Sequence, residues 1–421
     1  MNVNKKKFVM VVNSSFQEMD WLALKLEELK TLSNYIRPYF FDDRRFFEIC
    51  LNKLSPKFLN LNGILKKRIF RGGENLNNFL RAGKKYDLVC LLLSRLNIFP
   101  SLLPSIVYYR NLAISKYASN ALSGEKIVVA SAGCAYHVFK RAKEIDAICI
   151  LNASFAHHRY ATEHLLMECK RTPLYSKSMN GHNFPAWLLD IMDVEISLAD
   201  YILVGSSFVK ISFEKQDIPA EKIFVLPYGV DTELYTNSID RKTSDSNSFN
   251  ILFVGQITQR KGISYLIEVF DKICVAKKNV SLTMVGSIPF GFKIPEGGRK
   301  NFRVIPHAPK KDLVKLYADA DVFLFPTLME GMPIVVLEAM ACGLPVITSN
   351  MGPDEVVRDG LDGFIVDPRN IEMMVDKLTL LIENQALKEL MGKNARERAV
   401  SFNWERYQST GIEIINKLLT F

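Results

Sequence analysis

The chain has 421 residues, 48% hydrophobic and 24% charged. That is too long for one hydrophobic core, so two domains are expected, and the composition excludes a disordered or collagen-like class. Of its 54 Lys and Arg and 45 Asp and Glu, residues 1–145 hold 24 and 11, so the formal net charge of +9 is N-terminal and the rest of the chain is slightly acidic. Such a basic half suits nucleic acid, anionic lipid, a phosphorylated acceptor or simply a solvated surface.

The basic start, Met1 to Lys7, precedes an apolar run at 8–12 that is too short for a signal-peptide core. That run is predicted as the first strand, and further strands are predicted at 88–93, 127–130, 147–151 and 201–204. The most apolar stretch, 88–93, is followed by Ser94-Arg95 and later by Pro100 and Pro104, so no bilayer-spanning helix is expected there. The polar tract 236–249, rich in Ser, Asp and Asn, reads as a linker between residues 1–235 and 250–400. Beyond it the alternation is regular. Strand 250–254, loop 255–262 and helix 263–276 lead to strand 281–285, a Gly/Pro-rich loop 286–298 and strand 302–305. Helix 312–317, strand 321–325, helix 334–342 and strand 345–348 follow. This is the grammar of an α/β fold with a parallel sheet covered on both faces. Phe402-Asn403-Trp404 opens a last helix in 401–421. Seven scattered cysteines, none paired as C-x-x-C, speak against a disulfide framework or a zinc site, and the expected location is cytoplasmic.

The chemistry concentrates in FPTLMEGMPIVVLEAMACGLPVI, residues 325–347. A buried strand ends at Pro326, a loop carries Glu330 and Gly331, and Pro333 stands where proline pre-sets a first helical turn. Gly343 suits a left-handed helix end and Pro345 blocks continuation. The helix N-terminus aims backbone N–H groups where the loop delivers Glu330, a natural seat for a diphosphate. Glu338, one turn further in, can accept hydrogen bonds from a polyol such as a ribose.

Two glutamates seven apart within E-G-x-P-x-x-x-L-E-A-M-A-x-G-x-P-V-I resemble the donor site of glycosyltransferase family 4, retaining enzymes of the GT-B fold. A second segment, VGQITQRKG at 254–262, is similar to the family's phosphate clamp: Lys261 matches, whereas Gln256 stands where an arginine is usual. Two readings stay open, that Arg260 supplies the missing charge or that Gln256 donates a weaker hydrogen bond. The segment 199–231, with Pro227 and Gly229, also resembles the family. In the loop after strand 147–151, His157, with His158 as runner-up, matches a histidine that relatives place near the transferred sugar.

The resemblance implies two Rossmann-like domains facing across a cleft: an acceptor-side domain, 1–235, and a nucleotide-sugar-binding domain, 250–400, with 401–421 crossing back to the first. It implies a UDP- or GDP-sugar co-substrate, no metal and no other cofactor. It assigns His157, Glu330 and Lys261 to catalysis. Donor binding falls to Gln256, Arg260, Lys261, Gly331, Met332, Pro333, Ile334 and Glu338. The partners expected are the donor, a saccharide or lipid-linked acceptor and an anionic membrane surface at its inner face, docked through the basic residues near Lys66-Lys67-Arg68 and the stretch 98–109. No aromatic-basic ribbon, finger or helix-turn-helix points to nucleic acid. The alternative is a non-catalytic nucleotide-sugar binder acting as an assembly partner, which would bind donor without consuming it.

Overall fold

A computed structural model describes residues 7–14, 16–38, 81–82, 103–180, 184–236, 248–295 and 298–419. The strand expected at 88–93, the basic group 66–68 and most of the linker lie outside the described residues. The chain divides into two compact units, 1–152 with 190–202 and 153–189 with 203–421.

In the first unit the strands are β1 (Val9–Val12), β2 (Leu32–Pro38), β3 (Arg81–Ala82), β4 (Ile127–Ser131), β5 (Ile148–Ala153) and β6 (Tyr201–Val204), in the order β3-β2-β1-β4-β5-β6. The pairs from β3 through β5 are all parallel. Every residue of β1 and β4 is buried, which requires cover on both faces and explains why both are apolar but for Ser131 at the end of β4. Among the helices of this unit are α1 (Gln17–Glu28), α2 (Leu103–Ala121) and α3 (Tyr136–Lys143). Glu195 caps α3 from within: its buried carboxylate accepts the N–H groups of Gly133, Ala135 and Tyr136 at 2.6, 2.7 and 2.9 Å. Burial pushes its pKa up to about 7 against the lowering effect of those three bonds.

The second unit contains α4 (His158–Arg171), the short β7 (Ile223–Val225) and α6 (Ser207–Glu214), while α5 (Ala186–Leu198) lies across the division in sequence. Its sheet has six strands, β8 (Phe249–Val254), β9 (Val280–Val285), β10 (Phe302–Ile305), β11 (Val322–Phe325), β12 (Val346–Thr348) and β13 (Gly363–Ile365). They run β10-β9-β8-β11-β12-β13, all parallel. Between them lie α7 (Ile263–Ala276), α8 (Lys310–Ala318) and α9 (Ile334–Ala341), followed by α10 (Ile371–Glu383), α11 (Gln385–Val400) and α12 (Trp404–Leu418). Strand order reverses between β8 and β11, and at such a switch point the loops leaving the carboxyl ends diverge and open a crevice for a ligand. Phe253, Phe323 and Phe325 stack beneath that point, with ring centroids 5.6 and 5.7 Å apart.

The helix expected at 334–342 is α9. Gly343, at φ 76°, ends it with the Gly343 N–H on Met340 O and the Leu344 N–H on Ala339 O. Pro333 sits one place earlier than expected: it is the N-cap, with extended φ −79° and ψ 106°, rather than part of the first turn. Having no N–H, it leaves the first donors of the helix to Ile334 and Val335, because the Val336 N–H already bonds Pro333 O. Asn403 caps α12 through its side chain on the Arg406 N–H and bridges to Val230.

Candidate active site

The loops after β8 and β11 meet at Glu330. Its Oε1 accepts the Arg260 guanidinium Nη1 at 2.7 Å, the Lys261 ammonium in closer contact, and the Thr327 hydroxyl at 3.4 Å. Among the described residues these bonds converge on Oε1 and none falls on Oε2. Lys261 and Glu330 are each 8% exposed, so the ion pair sits in a low-dielectric setting where Coulombic terms are large. Burial raises the Glu330 pKa, but the Arg260 and Lys261 charges outweigh it and hold the carboxylate below its usual range. Burial also lowers Lys261, to about 8, despite the opposing pull of Glu330. The buried ammonium therefore keeps its charge below about pH 8, and the carboxylate stays ionised.

Gly262 and Gly331 make this convergence sterically feasible. Gly262, at φ 73°, lies against Pro326: a Cβ there would come 1.8 Å from the Pro326 carbonyl oxygen. The Leu328 N–H bonds Arg260 O at 2.8 Å, so the two loops are stitched through backbone. At Gly331 a Cβ would stand 1.9 Å from Ser154 O, so the Glu330 loop abuts the turn leaving β5.

That turn contributes Phe155, whose ring lies 5.2 Å from the Arg260 guanidinium carbon. Asn180 supplies a third side of the support. Its Oδ1 accepts Arg260 Nε at 2.8 Å and its Nδ2 donates to Gln256 Oε1 at 2.7 Å. Arg260 is thus bound to Glu330, to Met329 O and to Asn180, whereas Gln256 is joined to Asn180.

His157 is the N-cap of α4, with its Nδ1 accepting the Arg159 N–H at 3.2 Å. That bond assigns the ring proton to Nε2, so Nε2 is a donor. The ring stacks on His158 at 4.4 Å and meets Phe213 edge-on at 5.0 Å, and both histidines are buried. Met332 turns inward and accepts the Tyr228 N–H on its sulfur. Gly331 O accepts the Ser206 hydroxyl. Glu338 accepts the Tyr317 hydroxyl on Oε2 at 3.1 Å and a hydrogen bond from Tyr235. Burial raises its pKa against the lowering effect of those tyrosines. Ile334 opens α9 directly after Pro333.

The structure therefore brings Arg260, Lys261 and Glu330 into one cluster, with Gly331, Met332 and Pro333 on the same loop and Ile334 at the start of α9. Glu338 is placed in a tyrosine cage behind it. No sequence motif assigned a role to Asn180, Phe155 or Thr327. Thr327 lay inside the recognised motif, whereas Asn180 and Phe155 carry no motif signal.

Two parallel Rossmann-like sheets, with charged loops at the switch point of the second, define a GT-B fold. The solved structure of Anabaena HepE in complex with UDP and glucose matches 97% of this chain and 100% of its own, with a TM-score of 0.62 at 14% identity. Sucrose-phosphate synthase from Thermosynechococcus elongatus matches 98% of each chain at a TM-score of 0.63 and 15% identity. Residues 236–398 match the family described as glycosyl transferases group 1. The D-inositol 3-phosphate glycosyltransferase of Paenarthrobacter aurescens is 30% identical over 216 residues, 46% of this chain and 51% of that protein. The capsular polysaccharide biosynthesis glycosyltransferase CapM of Staphylococcus aureus is 33% identical over 209 residues, 45% and 54% respectively. The chain thus spans about half the length of the curated relatives it matches. No helix among the described residues is long and apolar enough to cross a membrane.

Proposed function

We propose that this chain is a retaining, metal-independent glycosyltransferase that moves a sugar from a UDP- or GDP-sugar to a saccharide or lipid-linked acceptor, in cell-surface polysaccharide or glycoconjugate synthesis. The observation that carries the reading is the buried Arg260–Lys261–Glu330 cluster at the sheet's switch point, beside the N-terminus of α9. It lies inside the segment that matches the family model, and the relatives' names and the UDP and glucose bound to HepE favour this substrate class.

In this reaction the bond from the anomeric carbon to the diphosphate oxygen breaks and its electron pair leaves with the diphosphate. The acceptor hydroxyl oxygen forms the new bond on the same face of the sugar, and its proton passes to the leaving group. Lys261, Arg260 and the free N–H groups of Ile334 and Val335 stabilise the growing negative charge. Glu330, anchored through Oε1, presents Oε2 to sugar hydroxyls. His157 donates from Nε2 to the transferred sugar, and Glu338 receives ribose hydroxyls in place of its tyrosine partners. The protein works in the cytoplasm, and its basic N-terminal residues meet an anionic membrane face; co-sedimentation with anionic vesicles that salt does not weaken would remove that surface from the account.

The Lys261 pKa gives a test. Below about pH 8 the ammonium is charged and favours an anionic ligand, and the charge is lost as pH rises through that value. Calorimetric affinity for UDP or GDP is expected to decline above pH 8 in the unaltered protein and to be flat over the same range in Lys261→Ala. Equal slopes in the two proteins would show that Lys261 does not touch the diphosphate.

A further inference from the structure

The turn that carries Arg260 and Lys261 is held from outside by a buried carboxylate far away in sequence. Glu168, in the last turn of α4, is 1% exposed. Its Oε1 accepts the Tyr265 hydroxyl at 2.5 Å and Gln259 Nε2 at 3.1 Å, while Oε2 accepts Arg369 through Nε at 3.2 Å and Nη2 at 3.1 Å. Gln259, fully buried, is the link to the turn. Its Oε1 accepts the Ser264 N–H at 3.0 Å, its Nε2 also donates to the Ser264 hydroxyl, and its own backbone N–H bonds the Ser178 hydroxyl at 2.9 Å. Every polar atom of the Gln259 side chain is thus engaged, and the two residues that follow it are Arg260 and Lys261. A charged carboxylate that receives four donors has little freedom to move, and the peptide anchored to it inherits that rigidity.

We propose that Glu168 is a positioning residue: through Gln259 it fixes the 259–262 turn so that Arg260 and Lys261 stand ready at Glu330 before any ligand arrives. Preorganised charges stabilise a developing anion without reorganising during reaction, and a misplacement near 1 Å costs roughly 10²-fold. The effect on ligand binding rests on the function proposed above, whereas the effect on the turn does not.

The test uses the full chain and the variants Glu168→Gln and Gln259→Ala, the second leaving the Glu168–Arg369 pair intact. Two readouts are taken: amide hydrogen exchange across 255–264, and calorimetric affinity with UDP and GDP as probes. The expected result is faster exchange confined to 255–264 in both variants, with affinity for whichever probe binds weakened roughly 10- to 100-fold. The double variant should add nothing to either single one, since both break the same linkage. Unchanged exchange in 255–264, or exchange raised equally across the whole second sheet, overturns the proposal by showing no role or a general structural one. If Glu168→Gln does not fold, Gln259→Ala decides by the same criteria. Should the unaltered protein bind neither probe, the proposed function fails, and the exchange data still decide the positioning role.

Discussion

Lys261→Ala is expected to lower sugar transfer by about 10²-fold or more, the scale for losing one electrostatic stabiliser of a developing oxyanion. The fold should survive, because Glu330 keeps its 2.7 Å bond to Arg260 and is not left as an unpaired buried charge. Arg260→Ala is expected to approach the same loss, since its guanidinium reaches the same Glu330 oxygen, whereas Gln256→Ala should cost far less because its carbonyl is directed to Asn180. Steady-state turnover of the three variants separates these cases. A Gln256→Ala loss exceeding that of Arg260→Ala would return the clamp to position 256.

Gly331→Ala should be nearly as damaging for a different reason. The added Cβ would lie 1.9 Å from Ser154 O, a backbone atom that cannot rotate away, so the Glu330 loop and the turn leaving β5 must separate. Overpacking of this kind costs about 1–3 kcal/mol in stability. The larger effect falls on activity, since the displaced loop carries Glu330 and leads into α9; a loss of about 10²-fold is expected. Gly360→Ala is the control: its backbone has φ 73° but nothing lies within 4 Å of the new Cβ, so melting temperature alone should fall. Full activity in Gly331→Ala would mean that the loop's approach to Ser154 is not needed for function.

Five of the six strands of the second sheet were readable to within a residue, most clearly where a short buried apolar run is bounded by turn residues, as Val322–Phe325 between Asp321 and Pro326 shows, whereas the three-residue β13 (Gly363–Ile365) gave no signal. Helix 263–276 was found at its observed limits, since its apolar residues recur at helical spacing. The strand Leu32–Pro38 was missed because LSNYIRP mixes polar residues into a half-buried strand with no clean alternation. Burial at its polar positions is satisfied by tertiary partners, such as Ser33 on Glu125, that sequence does not display. The candidate site divides the same way. Glu330, Lys261 and Arg260 lay in two recognisable loops, and the topology of a parallel sheet brings such loops to one edge. Asn180, Phe155 and Glu168 were not legible. Asn180 meets Arg260 across 80 residues and Glu168 meets Gln259 across 91, and an isolated Asn or Glu in a helix end or loop has no periodic signature. Pro333 was misplaced by one position because a proline fits both the N-cap and the first turn by its φ alone.

Catalysis by the Arg260–Lys261–Glu330 cluster requires a nucleotide-sugar that is consumed. The most direct measurement incubates the full chain with UDP-, GDP- and ADP-sugars and a set of saccharide and lipid-linked acceptors without added metal, following release of nucleoside diphosphate and the anomeric configuration of the product by NMR. Release is expected from a UDP- or GDP-sugar, dependent on acceptor, with a product of the donor's anomeric configuration, and lost in Lys261→Ala. Donor that binds but is never consumed under any acceptor, or an inverted product, would contradict it.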